Sequence, residues 1–166
     1  LRNASYSYGI QILHEVPVSV PFVFYGDNVK IKNGTVIGGD GFTYKRQEDE
    51  TLKHGEHEYG VVLGDDVHIG SNCVIDRGSW RDTVIQKGCK VDNLCHIAHN
   101  VIIEPHSLLC AGVIVGGSTI IGSHCDIWMG ARIFQHIHIG DGAIIGAGSI
   151  VMKDVPAGQK VIGVWK

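Results

Sequence analysis

The chain has 166 residues, 44% of them hydrophobic, and a formal net charge of -3, enough for one domain with a sizeable core and short for two. With 14 Lys and Arg against 17 Asp and Glu and no long basic run, the composition excludes nucleic acid or an anionic membrane surface as the main partner and favours small molecules. No apolar stretch approaches the roughly 20 residues of a membrane span and none follows a charged start, so a soluble chain is expected.

In chain order, an aliphatic phase of six opens at Ile31 and Ile37, stops between 38 and 62, and resumes at Leu63, Ile69 and Ile75. It stops again between 76 and 84. From Ile85 it runs without a gap through Val91, Ile97, Ile103, Leu109, Val115, Ile121, Ile127, Ile133, Ile139 and Ile145 to Val151. The interruptions, about 38–62 and 76–84, are expected to be loops, and residues 152–166 a C-terminal tail on a single domain spanning 1–166. A period of six fits neither an amphipathic helix nor an alternating strand. Each hexad reads as a short strand plus a turn, and a short fixed period marks a solenoid. The expectation is an all-β parallel β-helix with three hexads, 18 residues, to a triangular coil.

Two residues before the periodic aliphatic the side chain is small or β-branched, as at Ser107, Val113, Thr119, Ala131, Ala143 and Ser149, and Cys73, Cys89, Cys95 and Cys125 occupy the same place. With Cys110 they form no CxxC or CxxH pair, so they read as buried, reduced thiols of a cytoplasmic protein. His99 lies two residues beyond Ile97 and should face outward from an edge of the prism. Gly117 is one coil further on, about 4.8 Å along the stack. His136, three residues past Ile133, should share that edge. An edge histidine can accept a proton near neutral pH, and a glycine N–H lets a reacting carbonyl approach closely.

The pattern resembles the hexapeptide-repeat superfamily, which implies a left-handed β-helix, usually trimeric. "CVIDRGSWRDTVIQKGCKVDNLCHIAHNV" (73–101), "IGGDGFTY" (37–44), the Gly-Ser at 117 and 118 and the His-x-x-Ile-x-Asp ending at Asp141 resemble the UDP-3-O-acylglucosamine N-acyltransferases of lipid A synthesis. "KDVPAG" (153–158) is similar to the segment by which many hexapeptide acyltransferases leave the prism. The resemblance implies acyl transfer from a pantetheine thioester, acetyl-CoA or acyl carrier protein, to the amine of a nucleotide-linked amino sugar, with no permanently bound cofactor. It assigns His99 as general base, Gly117 as oxyanion donor and His136 as a second active-site histidine. Asp76, Asp92, Asn93 and Asn100 fall to the sugar substrate, and Gly116, Ser118, Gly130 and Ala131 to the acyl donor. The loop holding Lys45, Arg46, His54 and His57 is a candidate for the nucleotide.

The resembled enzymes carry an N-terminal uridine-binding domain and C-terminal helices that dock acyl carrier protein. Residues 1–30 and those after Gly158 are too few for either, which suggests a trimmed chain or a smaller acetyl-CoA-dependent relative. Two other readings remain open: a γ-type carbonic anhydrase-like zinc enzyme using His99, His136 and His138, and a non-catalytic scaffold.

Overall fold

The computed structural model describes residues 2–3 and 22–166, so the remainder of the expected domain, residues 1 and 4–21, lies outside the described residues. In the regular part each hexad contributes two strand residues and a four-residue turn. His96–Ile97 is followed by a turn and then Ile102–Ile103. The second strand residue points inward: Ile97, Ile103 and Leu109 are 0% exposed. Successive strands lie on successive faces, and the fourth returns beside the first, with Ile85 paired in parallel to Ile103 and Ile103 to Ile121. The described residues form three seven-stranded sheets and contain no helix; none is therefore long and apolar enough to cross a membrane. The hexad phase has become a parallel β-helix. The first face runs from Val23–Tyr25 to His138–Ile139, with Arg2–Asn3 added antiparallel at its margin. The second runs from Lys30–Ile31 to Lys160–Val161 and the third from Val36–Gly39 to Val164–Trp165.

The interior is a column of the periodic aliphatics, each removed from water for roughly 2 kcal/mol of gross burial. The small residue two places earlier also points in, and where it is Ser, Thr or Cys it bonds to the next coil. Cys89 Sγ donates to the Glu104 carbonyl at 3.0 Å, Ser107 Oγ to Gly122 at 2.7 Å, Thr119 Oγ1 to Phe134 at 2.8 Å and Cys125 Sγ to Gly140 at 3.2 Å. Donor and acceptor are 15 residues apart in every case. All five thiols are free, and all but Cys110 are buried. A Cys or Ser here stitches coil to coil besides filling space.

Both interruptions of the hexad phase follow a third-face aliphatic, Ile37 and Ile75, and so leave the prism at the edge between the third and first faces. The first contains a two-stranded antiparallel hairpin, Tyr44–Arg46 with Leu52–His54. The second is the short excursion of residues 77–82. In the next coil that edge carries His99. Residues 152–166 continue the winding: Val155 bridges to Ile139, Lys160–Val161 pairs with Ile144–Ile145 and Val164–Trp165 with Ile150–Val151.

Candidate active site

His99 sits in the turn after His96–Ile97, half-buried, with a glycine on either side of its ring. A Cβ added to Gly117, in the coil above, would lie 2.7 Å from His99 Cε1 and 2.9 Å from Nε2. One added to Gly41, from the hairpin excursion, would lie 2.6 Å from Cδ2. Any side chain at either place would displace the imidazole.

The hairpin is held over the edge by its own histidines. The Gly41 N–H donates to His57 Nε2 at 3.0 Å, His54 Nε2 meets the Gly41 carbonyl at 3.1 Å, and His57 Nδ1 meets the Gly55 carbonyl at 3.1 Å. Because a main-chain N–H can only donate and a carbonyl only accept, His57 is neutral with its proton on Nδ1. Burial pushes its pKa down, in agreement. The His57 and His99 rings meet edge-on at 6.0 Å. Outside them Phe42, Tyr44 and His54 form a run of tilted rings with centroids 4.9 Å apart.

The second excursion braces the residue beside the histidine. Asn100 is fully buried with φ 61°, and its Oδ1 accepts from the main-chain N–H groups of Ser79 at 2.8 Å and Trp80 at 3.3 Å. Its Nδ2 lies 2.8 Å from His99 Nδ1 and 3.0 Å from Ser79 Oγ. Arg81 donates through Nε to the Asn100 carbonyl at 3.0 Å and through Nη2 to that of Ser118 at 3.4 Å, tying two coils together. Ser118 and His136 occupy the Asn100 place in the two following coils: the Ser118 N–H donates to His99 O and the His136 N–H to Gly117 O, each at 2.9 Å. His136 is exposed. Burial first, and then the charges that His57, His136 and His96 would carry, push the His99 pKa down, so the resting ring is neutral.

Asp76 ends the third-face strand one coil below. It is 7% exposed, and burial, reinforced by Asp40, pushes its pKa up to about 7. His96 Nε2 is 3.7 Å from its Oδ2. Asp40 is in turn paired with Arg77 at 2.6 Å.

Of the residues singled out in the sequence, the fold gathers His99, Gly116, Gly117, Ser118, Asn100, Asp76 and His136 along one edge. Asp92, Asn93 and Gly130 lie on the edge between the second and third faces. There Asn93 Oδ1 accepts from the Ser71 N–H at 2.8 Å and binds coil to coil. Ala131 is 0% exposed inside the prism. Gly41, Ser79 and Arg81 lie inside the resembling segments 37–44 and 73–101 and His57 in the candidate nucleotide loop, but none of them was given a role beside His99. Counting by coils shows that both excursions leave from the edge of His99, but not which of their residues reach it. Among the described residues Asp40, His54 and His57 are close enough to share a cation. Yet Arg77 holds the carboxylate and the Gly41 N–H takes His57 Nε2, so they read as the frame of the hairpin.

Models of the bacterial transferase hexapeptide (six repeats) match residues 82–117, and of the hexapeptide repeat of succinyl-transferase residues 55–77 and 137–153. Over these residues the chain carries hexapeptide repeats. Over 86% of its length it is 40% identical to a UDP-3-O-acylglucosamine N-acyltransferase of Methylobacterium nodulans, of which it covers 40%. Over 74% it is 41% identical to the enzyme of the same name from Delftia acidovorans, covering 36% of it. The chain thus spans about two fifths of the length of these curated relatives. Among solved structures of hexapeptide-repeat proteins, a UDP-N-acetylglucosamine acyltransferase superposes with a TM-score of 0.74 at 28% identity, covering 85% of this chain and 52% of that one. LpxA from Acinetobacter baumannii gives 0.68 at 27%, covering 82% and 51%.

Proposed function

We propose that the chain is the catalytic prism of an N-acyltransferase that moves an acyl group from a pantetheine thioester, acyl-CoA or acyl carrier protein, to the amine of a nucleotide-activated amino sugar. The observation that carries this reading is the His99 ring set between Gly41 and Gly117 at an edge where two excursions converge. Among the described residues the Gly117 N–H donates to no other main-chain group, and Gly117 itself stands against the ring, where a free N–H could serve a developing oxyanion. The relatives' names supply the substrate class. Asp76, Asn100, Gly116 and Ser118 surround the reacting atoms, His136 lies further along the same edge, and the hairpin with Lys45, Arg46 and His54 covers the acceptor.

A homotrimer fits this arrangement. The outward residues of the two faces that meet at His99 are largely apolar: Val62, Val84, Ile102 and Ile120 on the first, Val74, Ile114 and Ile150 on the third. The second face instead presents Lys30, His68, Lys90, Asp126 and Lys160. Prisms laid together on their apolar faces would set each His99 edge against a neighbouring chain and close the site that a single chain leaves open. A cytoplasmic location suits five reduced thiols. The test is a mass-spectrometric screen of short acyl-CoA and long acyl carrier protein donors against nucleotide-linked amino sugars. Amide formation that falls at least about 100-fold in His99→Ala supports the reading. No transfer from any donor by the assembled protein, or transfer unaffected by the substitution, overturns it.

A further inference from the structure

Gly41 meets His99 with its α-carbon, because its polar groups are taken up elsewhere. The N–H donates to His57 Nε2 at 3.0 Å, and the carbonyl takes His54 Nε2 at 3.1 Å and the Thr43 N–H at 2.9 Å. The two histidine rings stack with centroids 5.3 Å apart, one on each side of the same residue's peptide groups. They are not equivalent. His54 donates to a carbonyl, which an imidazolium and a neutral ring with its proton on Nε2 both do. His57 has to accept at Nε2, and its Nδ1–H already serves the Gly55 carbonyl at 3.1 Å. A second proton on His57 would set Nε2–H against the Gly41 N–H, two donors face to face on a side chain only 6% exposed.

We propose that His57 is a positioning residue for the acyl-transfer site, a latch that keeps Gly41 against the His99 ring while it is neutral and releases the first excursion when it gains a proton. This rests on the acyl-transfer reading and leaves the part that His99 plays in it untouched. A ring packed between Gly41 and Gly117 has one place to stand. With Gly41 gone from one side it gains room, and alignment with the reacting groups is lost. The titratable and charged groups facing His57 are Asp40 and His54 of the same excursion, Arg77 of the second excursion and His99 of the prism. Asp40 favours the charged ring and Arg77 and His54 oppose it, but burial outweighs them and pushes the pKa below the usual 6.5. Opening the excursion hydrates the ring and returns it toward that value. The latched form is therefore at full strength above about pH 6.5 and weakens as pH falls below it.

The latch can be read without any turnover, by hydrogen exchange of the full chain with mass spectrometry, each rate divided by its intrinsic value at the same pH. Protection of the segment around Gly41 should fall at least about threefold between about pH 8 and about pH 5.5, while that of the coil 102–121 stays level. His57→Ala should lose that protection at both pH values with the coil unchanged. In His57→Gln the side-chain oxygen accepts from the Gly41 N–H whatever the pH, so protection should persist into acid. Protection around Gly41 that is independent of pH in the parent, or equal in the parent and His57→Ala, overturns the latch.

Kinetics test the positioning. At about pH 8, His57→Ala should lower kcat at least about tenfold, and His57→Gln should recover most of that loss. Because the parent and His57→Gln share every other titrating group, the ratio of their pH profiles isolates His57. That ratio should rise in favour of His57→Gln by at least about threefold on going to about pH 5.5. Parallel profiles, or a kcat in His57→Ala equal to the parent's, would overturn the positioning role. Absence of acyl transfer in the parent would overturn the proposed function instead, and the exchange measurement would still decide the latch.

Discussion

Replacing Asp76 by Asn should stabilise the fold while impairing substrate use. The carboxyl is buried at the end of the strand Val74–Asp76, no hydrogen bond from the described residues reaches it, and Asp40 lies near enough to raise its pKa further. Its pKa moves from 3.8 in the reference state to about 7. A displacement of roughly three pH units is worth about 4 kcal/mol at most, at about 1.4 kcal/mol for each. Relaxation and the amide's own desolvation reduce the gain from Asn to about 1–3 kcal/mol, which in a chain of this size raises the unfolding midpoint by about 3–8 °C. The sign follows from proton linkage. The folded chain holds this proton more tightly than the unfolded one, so the carboxyl's contribution to stability falls as pH rises from about 4 to about 7 and is level above that. The advantage of Asp76→Asn should therefore be small at pH 4, grow through that window and reach a plateau by pH 8. Calorimetry of both proteins across this range measures it. An advantage that does not change with pH, or a variant no more stable than its parent at pH 8, would refute the reasoning.

Three further outcomes are expected. Gly41→Ala places a methyl within 2.6 Å of His99 Cδ2; it should lower kcat at least about tenfold while moving the unfolding midpoint by no more than a few degrees, read by steady-state kinetics and thermal melts. Ile121→Ala removes a side chain that is 0% exposed in the middle of the column, and denaturant titration should show a loss of about 2–5 kcal/mol. Sedimentation equilibrium at micromolar concentration should give three times the 18.0 kDa mass of the chain; a monomer would remove the reason for the apolar first and third faces.

The fold was legible because one number governed it. Every aliphatic from Ile85 to Val151 that keeps the phase of six is buried, and no helix or alternating strand could have produced that spacing. The position of His99 at an edge followed from the same count. Residue roles taken from resemblance travelled less well within the single chain. Asp92 follows the second-face Val91 whereas His99 follows the third-face Ile97, so the two stand on different edges however close they are in sequence. Ala131 sits in the small inward place that Ser107 and Thr119 also occupy, and counting two back from Ile133 would have put it in the core. What no count could supply is the approach of the excursions. That Gly41 presses on His99 and that the Ser79 N–H orients Asn100 depend on non-repeating backbone whose path is set by contacts made only after the prism has formed.

The prism carries something like a reading frame: six residues move the chain to the next face and eighteen bring it to the same face one coil up. Loss of residues 122–139 would shorten the molecule by one coil and leave every later side chain on the edge or face it now occupies. Loss of 122–127 alone would turn everything after it by one face and move His136 from the edge of His99 to the next one round. Length can thus change in whole coils without turning the remaining residues away from the edge of His99, whereas a change of one hexad acts as a frameshift on the surface while leaving the interior column of aliphatics in phase.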